Sequence, residues 1–267
     1  GVTRPLVDSQ ESIYKGTGGK SSLFDLCREG IALLQTASVP AIGSDDVVYS
    51  GNIANWRRAG YTLMIRMAMT ISAKEPALAK QIIEEVIAAN EMISTNAQNL
   101  SVKFGTAVGS QSPIYSYMFV TTFQNDMMVS TRYLNLLQGL ADPRLPLYVT
   151  SPSGSYVTFD NGYRGTLPVA TTFSKWGTAV TGVNGAGPIR LITNAGRAFM
   201  LAEAMLTLNV VYAGQTPQSL YYEGMRAALT EAGVAAGTIN TYIGATAATP
   251  TAVATLTGTT ANQQNQI

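Results

Sequence analysis

Residues 52–72 read NIANWRRAGYTLMIRMAMTIS, and the expected architecture follows from this stretch. Its apolar residues recur three or four positions apart, as at Met67 and Ile71, which is the spacing of one face of an α-helix. Other apolar residues, such as Ile65 and Met69, fall near the opposite face. A helix that is apolar on more than one face is buried between neighbours. The stretch therefore predicts a central helix of a mainly α-helical protein.

Two helical hairpins are predicted on either side of the middle of the chain. The first covers about 52–92, where Pro76 occupies a position in the first helical turn that proline favours. The second covers about 194–232, with Thr216 as the N-cap and Pro217 as the first helical residue. Its two helices and short loop have about the length of one tetratricopeptide repeat. The fold expected is therefore a set of tetratricopeptide-like hairpins.

The composition limits the possible functions. An apolar content of 46% and a charged content of 12% allow a chain of 267 residues to bury a sizeable core. Seventeen basic residues against sixteen acidic ones leave no electrostatic footprint for nucleic acid. The absence of histidine excludes histidine-based catalysis and histidine-ligated metals. The one cysteine, Cys27, is expected to be a small core residue. No metal and no cofactor is predicted.

The middle of the chain has a different pattern. From about 94 to 190 the sequence is rich in glycine, serine, threonine and tyrosine, and most of it lacks a helical period. Long loops in a compact domain tend to carry function. The prediction is a single domain over 1–267, with a helical core at about 20–92 and 194–244 and a loop-rich insertion at about 94–190. The tail after Gly244 is expected to be mobile or to pack against chain that is missing here.

Five segments, in order, resemble motifs of the SusD/RagB-type outer-membrane lipoproteins. The most informative is DDVVYSGNIANWRRAGYTLMIRMAMTIS, in which Asn52 replaces the aspartate that is usual in the family. The other four are VTRPLVDSQESIY, FQNDMMVSTRYLNLLQGLADPRLPLY, FMLAEAML and YYEGMRAAL. The likeness extends from about residue 3 to residue 233. Within the segment DDVVYSGNIANWRRAGYTLMIRMAMTIS, the positions that match the family motif are Tyr49, Gly51, Trp56, Leu63, Arg66 and Ala68.

This resemblance implies a function without catalysis. It implies a tetratricopeptide-like scaffold with long loops, carried by a cell-surface lipoprotein of the outer membrane. Such a protein captures nutrient glycans and hands them to a TonB-dependent porin of the SusC type. Full members are considerably longer, so the chain is expected to be a fragment truncated at both ends. Cys27 follows no hydrophobic signal region, so the lipid anchor is expected to lie outside this chain.

Other functions remain open. The scaffold alone also fits a tetratricopeptide-like interaction protein, or a peptide-binding member of the same family. A glycosidase would need two acids across a cleft. Of the adjacent acids, Glu84 and Glu85 point apart on a helix. Asp45 and Asp46 fit helix capping better than calcium binding. The sequence contains no phosphate-binding loop, dinucleotide fingerprint or nucleophile elbow.

Two isolated charges suggest a structural ion pair. Arg66 is the only charge in the apolar stretch 63–69, and Glu203 is the only charge in 199–206. A lone buried charge is costly, so each needs a partner. We therefore expect Arg66 and Glu203 to lie on facing helices and to pair directly or through one intermediary. Arg197 is the competing partner for Glu203.

The glycan-binding residues are expected in the loop GSYVTFDNGYRGTLPVATTFSKW, residues 154–176. The C–H groups of a sugar form an apolar face that stacks on aromatic rings, and planar polar side chains bind its hydroxyl groups. Phe159 and Phe173 are expected to be buried, since large apolar rings favour the core. Tyrosine and tryptophan tolerate exposure because each has a polar edge. The predicted ligand-binding residues are Tyr156, Asn161, Tyr163, Arg164 and Trp176.

Overall fold

The computed structural model describes residues 7–36, 42–120, 122 and 126–267, and it is mainly α-helical. The first part contains α1 (Gln10–Lys15), α2 (Leu23–Thr36), α3 (Ile53–Ile71) and α4 (Pro76–Ala89). The middle contains β1 (Leu100–Val102), α5 (Pro113–Tyr115), a π-helical turn (Ser116–Val120), α6 (Thr131–Gly139), α7 (Leu145–Tyr148), α8 (Thr178–Thr181) and β2 (Ile189–Ile192). The last part contains α9 (Asn194–Thr207), α10 (Pro217–Glu231), α11 (Ala236–Ile243) and α12 (Thr260–Gln266). The predicted fold class is confirmed. Residues 2–6 and 123–125, which belong to two of the motif segments, lie outside the described residues.

The main core lies between the two hairpins. Helices α3 and α4 pack along each other, and α3 also packs against α2 and α9. Ile65 of α3, Ile83 of α4 and Leu201 of α9 have no exposed surface. Cys27 lies partly buried at the edge of this cluster, where burial raises the pKa of its thiol. The central position predicted for α3 is therefore confirmed.

Helices α9 and α10 form the second hairpin and pack closely. Thr216 caps α10 through a reciprocal bond with Ser219, and Pro217 occupies the first turn. Gly224 allows the close approach, because a Cβ atom there would lie 2.7 Å from the ring of Phe199. The alanines of α9 let the helices meet with little side-chain bulk between them, and three of them have no exposed surface: Ala198, Ala202 and Ala204.

A small antiparallel sheet marks both ends of the loop-rich region. Strand β1 pairs with β2, with Ser101 opposite Arg190, and a register shift follows Leu100. The long excursion between the two strands therefore starts and returns at one place on the helical scaffold. Arg190 continues the connection by donating to Glu231 of α10 at 2.6 Å. The sheet thus fixes the base of the loops against the second hairpin.

The segment after Gly244 packs on α9 and α10, which contradicts the expectation of a mobile tail; packing on missing chain stays a prediction. Ala254 has no exposed surface and belongs to an apolar cluster with α10 and α11. The side chain of Gln218 accepts from the amide of Leu256 at 2.8 Å and donates to the carbonyl of Ala254 at 2.7 Å. Helix α12 then contacts α9. These contacts could not be predicted from the low-complexity composition, because they are made by small side chains and backbone groups.

The predicted pairing of Arg66 with Glu203 was also wrong. Arg66 is exposed and donates to the carbonyl of Leu191 at 3.1 Å. Glu203 is half-buried and accepts from Gln264 of α12 at 2.9 Å. In the described part of the chain, no ion pair or hydrogen bond joins these two charges. Arg66 bonds to β2 and Glu203 bonds to α12, so each charge has a partner outside the α3–α9 pair.

The charge that is buried in α9 is Arg197 instead. Its side chain is 3% exposed, and its Nη2 donates to Asn194 within α9 and to Glu223 of α10. The argument that a buried charge needs a partner therefore holds for this residue. The sequence suggests Arg197 as a competing partner for Glu203, but its carboxylate partner is Glu223, on the neighbouring helix of the same hairpin.

A tight turn before α3 is organised by Asp46. Its carboxylate accepts the amide N–H groups of Val48, Tyr49 and Gly51 at 2.9, 3.2 and 2.9 Å. Both carboxylate oxygens are therefore engaged by backbone donors.

No cluster of three potential metal ligands occurs among the residues described. None of the described helices has the length and apolar character needed to cross a bilayer.

Candidate functional site

The loop chosen from the sequence is exposed at its tip. Residues 160–169 all lie on the surface, and they include Asn161, Tyr163 and Arg164. The Tyr163 ring is 52% exposed and lies 5.3 Å from the ring of Phe159. Phe159 in turn packs edge-on against Phe173, with the ring centres 5.4 Å apart. Three of the five predicted binding residues are thus exposed on one loop, whose base contains the half-buried Phe159 and the buried Phe173, so the burial expected for Phe159 is only partial.

The other two predicted residues have a structural position. Trp176 and Tyr156 pack against a small apolar cluster that contains Val149. Trp176 forms an isolated β-bridge with Val149, and its ring meets that of Tyr133 edge-on at 5.4 Å. Both side chains are half-buried. The structure therefore separates Tyr156 and Trp176 from the exposed loop tip.

Sequence reasoning missed a second group of exposed aromatic residues. They lie on the π-helical turn Ser116–Val120, which follows α5. Tyr117 is 49% exposed and Phe119 is 39% exposed, whereas Met118 between them has no exposed surface. The ring of Tyr115 lies 5.0 Å from that of Phe119 at an angle of 32°. Single π-helical turns occur frequently at functional sites. The available signal was the alternation of aromatic residues in YSYMF.

Lys175 connects the two aromatic groups. Its ammonium group donates to the carbonyl of Met118 at 2.8 Å and lies 5.0 Å from the centre of the Phe119 ring. The residue before it, Ser174, donates its amide to Val157 at 2.9 Å, at the base of the loop that carries Tyr163. We call Tyr115, Tyr117, Phe119, Phe159, Tyr163 and Lys175 the aromatic loop surface.

The base of this surface is fixed by backbone bonds. Phe159 donates its amide to Val129 at 3.3 Å and accepts from the amide of Thr131 at 3.0 Å. At the tip, Tyr163 donates its amide to the carbonyl of Asp160 at 3.1 Å, and Gly162 between them adopts φ +80°. A turn with this φ favours glycine, so the tip keeps a defined shape. The rings are therefore presented by a tethered loop.

The charges on the surface suit a neutral, polar ligand. Burial lowers the pKa of Lys175, and its ammonium group is already engaged by Met118. Asp160 lies 3.6 Å from Arg132, and both side chains are largely exposed. Asn161 and Arg164 are exposed within two residues of Tyr163 in the chain and carry further donors and acceptors. The arrangement offers flat apolar faces with polar groups at their edges, which is the chemistry that a sugar ring requires.

Comparison with known protein families agrees with the resemblance found in the sequence motifs. A family model described as "SusD-like: Susd and RagB outer membrane lipoprotein" matches residues 1–267. No curated protein sequence matches the chain significantly.

Solved structures resemble the chain over most of its length. A chitin-binding SusD homologue from Flavobacterium johnsoniae is 26% identical, with a TM-score of 0.68 over 88% of this chain and 47% of that one. A SusD homologue from Bacteroides uniformis is 23% identical, with a TM-score of 0.71 over 96% and 50%. One from Bacteroides fragilis is 18% identical, with a TM-score of 0.70 over 91% and 55%. The chain thus spans about half the length of these solved structures.

Proposed function

The chain belongs to the SusD-like family of SusD and RagB outer-membrane lipoproteins, and from this premise we propose that it binds nutrient glycans at the cell surface. The family places the protein at the outer membrane. Its members are binding proteins rather than enzymes, and one relative of 26% identity binds chitin. We assign to this chain the same general role, capture of an oligosaccharide without catalysis.

The observation that carries the proposal is the aromatic loop surface. A single exposed tyrosine is ordinary, but several exposed aromatic rings on neighbouring segments are typical of a binding surface. Here two groups of exposed rings lie on separate segments, Lys175 bonds to the first segment at Met118, and the exposed Asn161 and Arg164 belong to the same loop as Tyr163. The rings would stack on sugar faces, and the polar edge would bind the hydroxyl groups.

The test uses the full-length protein. Tyr117→Ala with Phe119→Ala, and separately Tyr163→Ala, are compared with wild type on a glycan array and then by calorimetry with the best oligosaccharide. We expect each variant to bind at least about fivefold more weakly, since aromatic side chains dominate such contacts. Leu136→Ala is the matched control, because Leu136 lies on α6 and is 56% exposed. Unchanged affinity in both aromatic variants would place the site elsewhere.

Delivery to a porin is the second part of the proposal. We propose that the full-length lipoprotein passes its glycan to a TonB-dependent porin of the SusC type and does not hydrolyse it. Co-purification of the porin from outer membranes with the tagged lipoprotein tests the partner. Incubation of the cognate oligosaccharide with the pure protein, followed by mass spectrometry, tests catalysis. Shortened products would contradict the role as a binding protein.

A groove beside α2 and α3 favours a second candidate function, the binding of a peptide or a protein partner. The groove has a volume of about 400 Å³ and is lined almost entirely by apolar groups, including Ile31, Leu34, Leu63 and Ile192. Such a groove suits an amphipathic helix better than a sugar. Leu34→Asp would abolish peptide binding and leave glycan binding unchanged. Calorimetry with both kinds of ligand distinguishes the two functions.

A further inference from the structure

The two asparagine–glycine pairs of the sequence are chemically alike but lie in different surroundings. They are Asn161–Gly162, in the loop that carries Tyr163, and Asn184–Gly185, shortly before β2. In such a pair the amide nitrogen of the glycine can attack the side-chain amide of the asparagine, because glycine has no Cβ atom to hinder the approach. The attack requires rotation of the asparagine backbone, so the surrounding structure decides how fast it occurs.

The backbone of Asn161–Gly162 has room for this rotation. Both residues are exposed, and they occupy the central positions of the turn that Tyr163 closes by donating to Asp160. In the described part of the chain, the Asn161 side chain, the Asn161 carbonyl and the Gly162 amide bond to no other group. A Cβ atom built at Gly162 would meet no atom within 4 Å. The pair can therefore rotate at the cost of one backbone hydrogen bond.

The backbone of Asn184–Gly185 is held from several sides. The Asn184 carbonyl accepts from the side-chain amide of Gln111 at 3.0 Å, and the Gly185 carbonyl accepts from the amide of Ser112 at 2.8 Å. Gly185 is buried, and a Cβ atom there would lie 2.8 Å from the ring of Tyr115. Rotation about ψ of Asn184 would move both carbonyl groups away from their donors. The reaction at this pair therefore requires local opening of the structure.

We propose that Asn161 is a site of spontaneous deamidation in the folded protein and that the fold protects Asn184. The Gly162 nitrogen bonds to Cγ of Asn161, the bond from Cγ to Nδ2 breaks, and Nδ2 leaves as ammonia with the proton of the Gly162 amide. Water then opens the cyclic imide. Addition of water at Cγ gives isoaspartate or aspartate according to which of the two imide bonds to nitrogen breaks: cleavage at Cγ gives aspartate, and cleavage after addition at the main-chain carbonyl carbon gives isoaspartate.

The reaction would alter the loop tip in a defined way. Both products replace a neutral amide with a carboxylate, and isoaspartate also lengthens the main chain between Asp160 and Gly162 by one carbon atom. The hydrogen bond from Tyr163 to Asp160 spans this position, so the longer chain cannot keep the same turn. This chemistry is independent of the proposed function, because it requires water and no ligand.

The experiment follows both asparagines in one sample. The full-length protein is incubated at pH 8.5 and 37 °C, with and without urea, and samples are digested with trypsin. The peptides 145–164 and 176–190 each contain a single asparagine, so mass spectrometry reads the two sites separately. In the folded protein we expect Asn161 to react at least about tenfold faster, since a modest free energy of local opening lowers a rate by that factor. In urea the two rates should agree within about threefold.

Two variants test the cause of the difference. Asn161→Gln should abolish the reaction in peptide 145–164, because a glutamine side chain would have to close a larger ring. Gln111→Ala removes the bond to the Asn184 carbonyl and should speed the reaction at Asn184 by about threefold to tenfold, while the rate at Asn161 stays the same. Melting temperatures show that both variants are folded.

Three results would overturn the proposal. The first is an Asn161 that stays unmodified in the folded protein while it reacts in urea. The second is an equal rate at both asparagines in the folded protein. The third is a tenfold difference that persists in urea, since its cause would then be the neighbouring sequence and not the fold.

Discussion

The indole N–H of Trp56 donates to Asp46 at 2.8 Å, which ties the first turn of α3 to the loop before it. The Trp56 ring also meets the Tyr49 ring edge-on, with centres 5.3 Å apart and an interplanar angle of 89°. With the three backbone amides, Asp46 accepts four N–H groups in total. One carboxylate therefore fixes both the turn and the entry into the central helix.

Replacing this carboxylate should destabilise the protein. Asp46→Asn removes the charge and leaves one acceptor oxygen for four donors. We expect the free energy of unfolding to fall by about 2 kcal/mol, since hydrogen bonds to charged groups contribute more than neutral ones. Urea denaturation at pH 7 measures this. Asp45→Asn is the matched control, because Asp45 is exposed, and it should change stability by less than about 0.5 kcal/mol.

The same carboxylate should make stability depend on pH. Partial burial raises the pKa of Asp46, but the four N–H donors outweigh this and lower it to about 2. In the unfolded chain the pKa is about 3.9. A lowered native pKa stabilises the protein above the unfolded value, and this stabilisation is lost as the pH falls through about 4 toward 2. The difference in unfolding free energy between wild type and Asp46→Asn should therefore be constant from pH 5 to 7 and shrink below pH 4. A difference that grows on acidification would refute the assignment.

The Arg197–Glu223 pair should matter more for stability than Glu203. Glu223→Ala leaves the buried guanidinium group of Arg197 without its carboxylate. The expected loss is about 2–3 kcal/mol, below the range for fully buried pairs because the Glu223 side chain is 35% exposed. Glu203→Ala removes one bond to Gln264 at the surface and should cost less than about 1 kcal/mol. Thermal or urea unfolding of both variants decides the order, and a larger effect for Glu203→Ala would contradict it.

Two aromatic residues of the same loop should behave in opposite ways. Trp176→Ala empties part of the cluster around Val149 and should lower stability by about 2 kcal/mol, since the ring is half-buried. Tyr163→Ala should change stability by less than about 1 kcal/mol but weaken glycan binding. Melting curves and calorimetry on both variants test this. If Trp176→Ala keeps the wild-type melting temperature, the position of its ring in the cluster is wrong.

Limited proteolysis should begin at the loop tip. Residues 160–169 are all exposed and lie outside any helix or strand, so a protease can bind them in extended form. Subtilisin, which cleaves broadly, should first cut within this segment, as read by mass spectrometry of the early fragments. The tail 245–267 contacts α9 and α10 and should be cut later. An initial cut in α3 or in the tail would contradict the structure.

The long helices could be predicted from sequence because their signals are local. The start of α10 could be predicted because Thr216 is a good N-cap residue and Pro217 suits the first helical turn. Pro76 marks the start of α4 in the same way. Whether a single charged side chain in an apolar helix is buried or exposed could not be predicted in this way. Arg66 lies in an apolar stretch, but only the arrangement of neighbouring helices determines which stripe of α3 stays exposed. A helix that is apolar all round carries no local information on this point.

The exposure of the candidate binding residues was predicted only in part, for a similar reason. Tyr163 and Trp176 occur in the same polar loop and have similar neighbours in the sequence. They differ in burial because Trp176 forms a β-bridge with Val149, which lies 27 positions earlier in the chain, and its ring packs against the cluster that contains Val149. Tyr117 and Phe119 were missed because the π-helical turn exposes both rings, and the helical or strand patterns searched for in a sequence do not describe such a turn.

The loop that carries Tyr163 is closed at its base, where Phe159 bonds to Val129 and Ser174 bonds to Val157. Everything between these two anchors lies outside the helical core. Doubling the length of such a loop costs only about 0.6 kcal/mol of closure entropy, so its tip can be rewritten or extended while the scaffold stays folded. Under the proposed function, changes confined to this segment would change which glycan is bound, and the scaffold would keep its fold.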